Sequence, residues 1–330
     1  MRVTSLSPLQ HRPNSAGDLQ RVEASLRDAA TTQDDFLTEV ASHLIPAGGK
    51  RLRPAMVIAA SLSHNNDGGD ENAVTEEMIR GGVAVELVHL GSLYHDDVMD
   101  EAETRRGIEA VNSRWGNLVA ILAGDFLLAK ASELAASLGT EVAELLAATI
   151  GHLCEGQVRE LQLIYDVDRD ESGYLEAIGG KTAALFATSC RIGALVAGCD
   201  RTSIEQLTQY GYAYGMAFQI VDDILDLVAT DEELGKPSGN DLREGVYTLP
   251  VIRMIRTNDP VKELLGAPLS TEERDFARSL VVNGKEIATS IETAREYAEE
   301  ALEAISGFPT TIGTLGLRSA ATNLLSALDR

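Results

Sequence analysis

Apolar residues recur every third or fourth position along most of the chain, and short polar or Gly/Pro-containing intervals interrupt them. Residues at that spacing share one face of an α-helix. The pattern predicts helices over 18–44, 54–63, 75–100, 112–138, 141–165, 172–197, 203–228, 249–256, 271–283 and 286–305, with another after Thr311. Pro46-Ala47-Gly48-Gly49 breaks the first of these. Pro54 stands where the next opens, because proline suits a first helical turn. His64–Asn72 reads as a polar loop. Strand-type runs of Val, Ile, Thr and Tyr are few, so the expected fold class is all-α, one large helical bundle over residues 18–330. A Pro/Ser-rich flexible arm is expected at 1–17, and no shift in composition marks a further domain boundary.

Composition narrows the functions open to such a bundle. Its 330 residues are 44% hydrophobic, enough for a large core, and carry a net charge of -23. That charge excludes a chain whose main partner is nucleic acid, since phosphate backbones need Lys and Arg. It also opposes adsorption to anionic membrane surfaces. The longest apolar stretch, Leu118–Ala129, is interrupted by Gly124-Asp125, so stable membrane insertion is not expected. The first twenty residues lack the apolar core of a signal peptide. Cys154, Cys190 and Cys199 are odd in number and form no CxxC pair, which fits reduced thiols and a cytoplasmic location.

Two acidic clusters carry the strongest chemical signal. Asp96-Asp97-Val98-Met99-Asp100 and Asp222-Asp223-Ile224-Leu225-Asp226 lie near the ends of two long helices in opposite halves of the chain. Aspartates four apart share a face and repel, so a compensating cation is needed. Mg2+ suits them, because it takes a few carboxylates, several waters and substrate phosphate oxygens. A solvated acidic face is the bland explanation for one cluster. It explains two less well, because apolar approaches such as Leu87-Val88 and Phe218–Val221 show both helices emerging from a core. Cations accompany them. Lys50, Arg51 and Arg53 sit in a Gly-rich turn opening a helix, a setting suited to phosphate. Arg105-Arg106 follows the first cluster, Lys181-Thr182 follows Gly179-Gly180, and Lys236 follows the second cluster.

With these residues in order, the chain resembles the trans-isoprenyl diphosphate synthase (polyprenyl synthetase) family from about Leu44 to its C-terminus. The matching segments are GGKRLRP at 48–54, HDDVMD at 95–100, ETRRG at 103–107, GD at 124–125, GGKTAALF at 179–186, FQIVDDILD at 218–226, GKPSGNDLREG at 235–245 and YTLP at 247–250. The resemblance implies a helical bundle around a central cavity, the isoprenoid synthase fold. It implies head-to-tail condensation of isopentenyl diphosphate with an allylic prenyl diphosphate such as farnesyl or geranylgeranyl diphosphate. It further implies that Asp96, Asp97, Asp100, Asp222, Asp223 and Asp226 hold Mg2+, three ions per active site, and that the enzyme is a homodimer. Arg105, Lys181 and Lys236 would contact the allylic diphosphate, while Lys50, Arg53, His89 and Arg106 would hold isopentenyl diphosphate. Thr182 and Gln219 would support the reacting end. Asp96, Asp97, Lys181, Asp222 and Asp223 are thus the expected catalytic group. His89, seven residues before Asp96, falls two turns away on the same face, although a lone helical His is more often structural. One departure from the family is Val246, where many relatives carry Lys.

Product length is expected to follow the first Asp helix. Ser92 and Gly91, four and five residues before Asp96, are small, where bulky aromatics stop growth in short-chain relatives. Ser132, with Ala131, Ala135 and Ala136, offers small residues on a neighbouring helix. A long product of about C40–C50 is expected from an apolar tunnel of the kind ligand sites use. Alternatively, these small residues serve close helix packing, and a C20 product is the runner-up. A terpene cyclase would carry one such Asp cluster with a different second metal site. A non-catalytic subunit of a heteromeric synthase would have lost aspartates, and all six are kept.

Overall fold

Thr75 accepts a hydrogen bond from the Met78 amide and starts a helix that runs uninterrupted from Glu76 to Met99. This is α4 of a computed structural model that describes residues 6–64, 73–230, 238–326 and 328. Before it come α1 (Ser15–Ala30), α2 (Asp35–Ser42) and α3 (Leu52–Ser61). After it come α5 (Val111–Trp115), α6 (Asn117–Ser137), α7 (Thr140–Gln162), α8 (Glu171–Ile178), α9 (Ala184–Val196) and α10 (Arg201–Val228). The remaining helices among the described residues are α11 (Asn240–Glu244), α12 (Leu249–Ile255), α13 (Asp259–Leu264), α14 (Thr271–Val282), α15 (Glu286–Ala304) and α16 (Ile312–Ser326). Among the described residues, the only strands are Thr104–Arg105 and Ile108–Glu109, a two-residue antiparallel hairpin.

The all-α expectation holds, and the departures from it have local causes. The helix expected over 18–44 is two helices. Thr31 is extended, and Asp34 caps a fresh start by accepting from the Leu37 amide at 2.8 Å. The helix expected over 112–138 breaks at Gly116, whose φ of 88° no right-handed helix contains. The expected flexible arm begins its helix at Ser15, and Leu6 and Leu9 before it are buried in the core. Two short helices, α11 and α13, have no counterpart in the periodicity.

α4 packs on α1, α3, α6 and α9, while α10 packs on α9 and α15. One contiguous cluster of buried apolar side chains runs through all of these helices. Each fully buried Leu or Ile in it contributes about 2 kcal/mol. The two longest helices thereby carry their C-terminal ends, where the Asp clusters sit, out of a rigid interior. No helix among the described residues is long and apolar enough to cross a membrane.

Candidate active site

A cavity of about 880 Å³ opens between α3, α4, α7 and α10. Its polar end gathers residues that lie far apart in the chain. Lys50, Arg53, His89, Ser92, Asp96, Arg106, Lys181, Thr182, Gln219 and Asp222 all line it. Lys236 lies outside the described residues.

The cationic side is built on the turn before α3. Arg106 donates to the Gly48 carbonyl, and its other terminal nitrogen lies 3.4 Å from His89 Nε2. Arg53 lies with its guanidinium 4.8 Å from the centre of the Phe186 ring, a cation–π contact. Burial, reinforced by Arg106, pushes Arg53 down to about 10 against the pull of Glu86. Lys50 Nζ is 6.0 Å from the Phe218 ring centre. Burial and the surrounding arginines drive His89 well below its ordinary value, so it is neutral here. Lys50, Arg53, Arg106 and the nearby Arg51 outnumber Glu86 and Glu23 around this turn, and a diphosphate would neutralise that excess. Arg51 serves differently. It is buried with φ +46° and pairs with Glu86 at 2.8 Å and Glu23 at 2.5 Å, so it shapes the turn rather than facing the cavity with its charge free.

Lys181 and Thr182 occupy a single π-helical turn, Gly179–Ala183, inserted between α8 and α9. Such insertions often mark functional positions. Gly156 of α7 and Gly180 pack backbone to backbone here. A Cβ on Gly156 would lie 2.4 Å from the Lys181 amide nitrogen. Lys181 Nζ is held by Glu160 Oε1 at 2.5 Å. Burial weakens the lysine's charge, but Glu160, Asp96 and Asp100 outweigh it and raise the pKa. Thr182 Oγ1 donates to Gln219 Oε1 at 2.7 Å, Gln219 Nε2 donates to Asp223 Oδ1 at 2.7 Å, and the Tyr174 hydroxyl donates to Asp223 Oδ2 at 2.6 Å.

The six aspartates divide into two kinds. Asp97, Asp223 and Asp226 are buried and engaged by the protein. Asp97 Oδ1 accepts from Arg105 at 2.5 Å and 2.6 Å, while Oδ2 is buried with no hydrogen bond. Asp100 and Asp222 are exposed and Asp96 is half-buried. Burial, with the repulsion of Asp100 and Glu160, pushes Asp96 up to about 6 despite Lys181 and Arg105. Burial likewise raises Asp223, against the hydrogen bonds of Tyr174 and Gln219. Carboxyls raised together, one with an orphaned oxygen, are a donor set short of positive charge, and hard divalent ions fit it. Among the described residues, no three His, Cys, Asp or Glu side chains converge to hold a metal alone. Ions that share their coordination with a phosphate need no such cage.

The chain matches the family model described as Polyprenyl synthetase over residues 34–280. It belongs to that family. Across 304 residues it is 38% identical to nonaprenyl diphosphate synthase of Mycobacterium tuberculosis, covering 90% of this chain and 88% of that protein. It is equally 38% identical to heptaprenyl diphosphate synthase component 2 of Geobacillus stearothermophilus over 296 residues, 88% of this chain and 90% of the relative. The fold superposes with a TM-score of 0.89 on the crystal structure of polyprenyl synthase from Caulobacter crescentus, complexed with calcium and isoprenyl diphosphate. That structure is 34% identical, and the match covers 98% of each chain. The all-α isoprenoid synthase fold and a prenyltransferase activity follow from membership of the polyprenyl synthetase family.

Against this frame, two residues expected to set product length lie elsewhere. Gly91 is turned into the crossing of α4 with α6, where a Cβ would meet the Gly124 carbonyl at 3.1 Å and Leu128 at 3.2 Å. Close helix packing explains its size. Ser132 is exposed and bonds back to the Leu128 carbonyl at 2.9 Å. Only Ser92 of the three lines the cavity. Tyr174, Glu160 and Gln157 come from α7 and α8, which carry none of the Asp or Arg/Gly motifs that drew attention in the sequence.

Proposed function

We propose that this polyprenyl synthetase is a long-chain all-trans polyprenyl diphosphate synthase that adds isopentenyl diphosphate units to an allylic diphosphate such as farnesyl diphosphate, with Mg2+. The observation that carries this is the meeting, in one cavity, of Asp96 and Asp222 with the cationic set of Lys50, Arg53 and Arg106. The set that faces the Asp clusters suits one diphosphate, and the cationic turn suits a second. The two curated relatives named above are a nonaprenyl diphosphate synthase and component 2 of a heptaprenyl diphosphate synthase, which supports a long product over a C20 one.

In this reading Asp96, Asp97, Asp100, Asp222, Asp223 and Asp226 hold Mg2+, three ions in all, and protein hydrogen bonds to Asp97, Asp223 and Asp226 fix the clusters in place. The metal supplies charge neutralisation at the departing diphosphate. Lys181, Arg105 and Lys236 bind the same group. Lys50, Arg53, His89 and Arg106 hold isopentenyl diphosphate, and Thr182 and Gln219 orient the reacting end. The protein needs no nucleophile, only placement, charge stabilisation and exclusion of water.

Purified protein given Mg2+, farnesyl diphosphate and labelled isopentenyl diphosphate is expected to yield products of forty carbons or more, read by chromatography after phosphatase treatment. Ser92→Phe should shorten them by several units while the first additions continue, because the ring enters the cavity below Asp96. Products of C20 from the native enzyme would move the cavity floor close to the aspartates. Absence of any condensation would favour a non-catalytic subunit.

The chain is read as a cytoplasmic homodimer. Leu118, Ile121 and Leu122 form an apolar face on α6, with Leu118 79% and Leu122 65% exposed, and side chains of that size in one patch ask for cover. Light scattering should report twice 35.3 kDa. One relative is by name a component of a larger enzyme, and monomeric mass would favour a different partner on that face.

A further inference from the structure

Almost every polar side chain at the reacting end of the cavity has a protein partner. Lys181 has Glu160, Thr182 has Gln219, Gln219 has Asp223, and Arg106 has the Gly48 carbonyl. Gln157 differs. It lines the cavity from α7, next to the Gly156 that packs against the Lys181 turn and one turn before Glu160. Its Oε1 is shut off from solvent and accepts no hydrogen bond. Leu153, Val158 and Leu161 of the same helix line the cavity around it. A buried amide oxygen without a donor is an unfavourable arrangement, and it persists where something else compensates.

Neither substrate brings a donor to that place. Both heads are anionic diphosphates, and the tails are hydrocarbon. What appears there during prenyl transfer is positive charge. The bond from C1 of the allylic unit to its diphosphate oxygen breaks, and the electron pair leaves with the diphosphate. The double-bond pair of isopentenyl diphosphate then forms a bond from its C4 to that C1. A proton finally leaves C2 of the added unit for a diphosphate oxygen, restoring a double bond. Between the first and second events the allylic fragment is a cation in an apolar enclosure.

We propose that Gln157 is a catalytic residue whose side-chain carbonyl faces the developing allylic cation and stabilises it by a fixed dipole. A preorganised dipole aimed at charge that exists only in the transition state raises turnover without tightening substrate binding. The inference rests on the prenyl-transfer reading above, so turnover of farnesyl diphosphate by the native enzyme is measured first. Its absence would sink that reading, whereas the comparisons below concern Gln157 alone.

Gln157→Met keeps the length and removes the carbonyl, and Gln157→Glu keeps the shape and adds charge. Two unreactive probes are titrated with Mg2+ present: farnesyl thiolodiphosphate, neutral along its tail, and an aza-analogue carrying a protonated amine at the C3 position. In Gln157→Met the ammonium probe should lose about tenfold in affinity while the neutral probe stays within about twofold. Turnover should fall about 10- to 100-fold with the KM for farnesyl diphosphate nearly unchanged. Gln157→Glu should bind the ammonium probe more tightly than the native enzyme does. Equal weakening of both probes would overturn the assignment, because the amide would then serve the metal–diphosphate head. No change in either probe would overturn it too, leaving Gln157 as cavity wall.

Discussion

Asp96→Asn is expected to melt a few degrees above the native protein when both are free of metal at pH 8, and to turn over at least about 1,000-fold more slowly when both are given Mg2+. Asp96 sits half-buried beside Asp100 and within the field of Glu160, and its carboxyl is pushed up to about 6. A carboxyl whose folded value exceeds its unfolded one holds its proton more tightly in the fold. It therefore burdens stability once pH rises past that folded value, and the burden is absent below the unfolded value. Asparagine removes the charge and keeps the shape, for a gain of about 1–2 kcal/mol at pH 8 that fades towards pH 4. The same change deletes a carboxylate oxygen proposed above to hold the metal that neutralises the departing diphosphate. Calorimetry at the two pH values checks the sign. A variant that melts below the native protein at pH 8 would mean that Asp96 serves the fold.

Gly156→Ala should cost about 2–3 kcal/mol of stability and about 100-fold in kcat/KM, although residue 156 touches no substrate. Its new Cβ would stand 2.4 Å from the Lys181 amide nitrogen and 2.9 Å from the Ala177 carbonyl, both backbone atoms. Helix α7 must then back away from the π turn, carrying Glu160 away from Lys181. A shift of about 1 Å in a positioned cation is enough for a loss of that size. Gly151→Ala on the same helix is the control, because nothing lies within 4 Å of its Cβ. It should stabilise by up to about 1 kcal/mol through helix propensity alone. Equal kcat/KM in both variants would show that the turn tolerates displacement.

How far the site was legible follows from how each residue announces itself. Asp96–Asp100 and Asp222–Asp226 are contiguous on long helices, so spacing alone put each set on one face. The cations beside glycines were visible for the same local reason. Tyr174 and Glu160 carry no local signature; their meaning comes from Asp223 and Lys181, which the fold brings to them. Arg51 and Arg53 look alike in sequence, yet a left-handed φ at Arg51 turns it towards Glu23 and Glu86. Gly91 was read through its distance from Asp96, but a glycine can open a cavity or admit a neighbouring helix, and only the position of α6 decides between them. Most helices were recovered because their apolar periodicity was long. The breaks at Thr31 and Gly116 were missed because each needs a single residue and leaves the period on either side intact.

The ion pair between Arg51 and Glu23 bears on how the chain can be handled. Glu23 belongs to α1, upstream of residue 34, where the family match begins. A protein trimmed to the matched span would look complete by homology and would still lack one of the two carboxylates that hold Arg51 in the turn before α3. Libraries, fusions and expression tags that treat the leading helix as disposable would then score a loosened Lys50–Arg53 turn as a property of the enzyme.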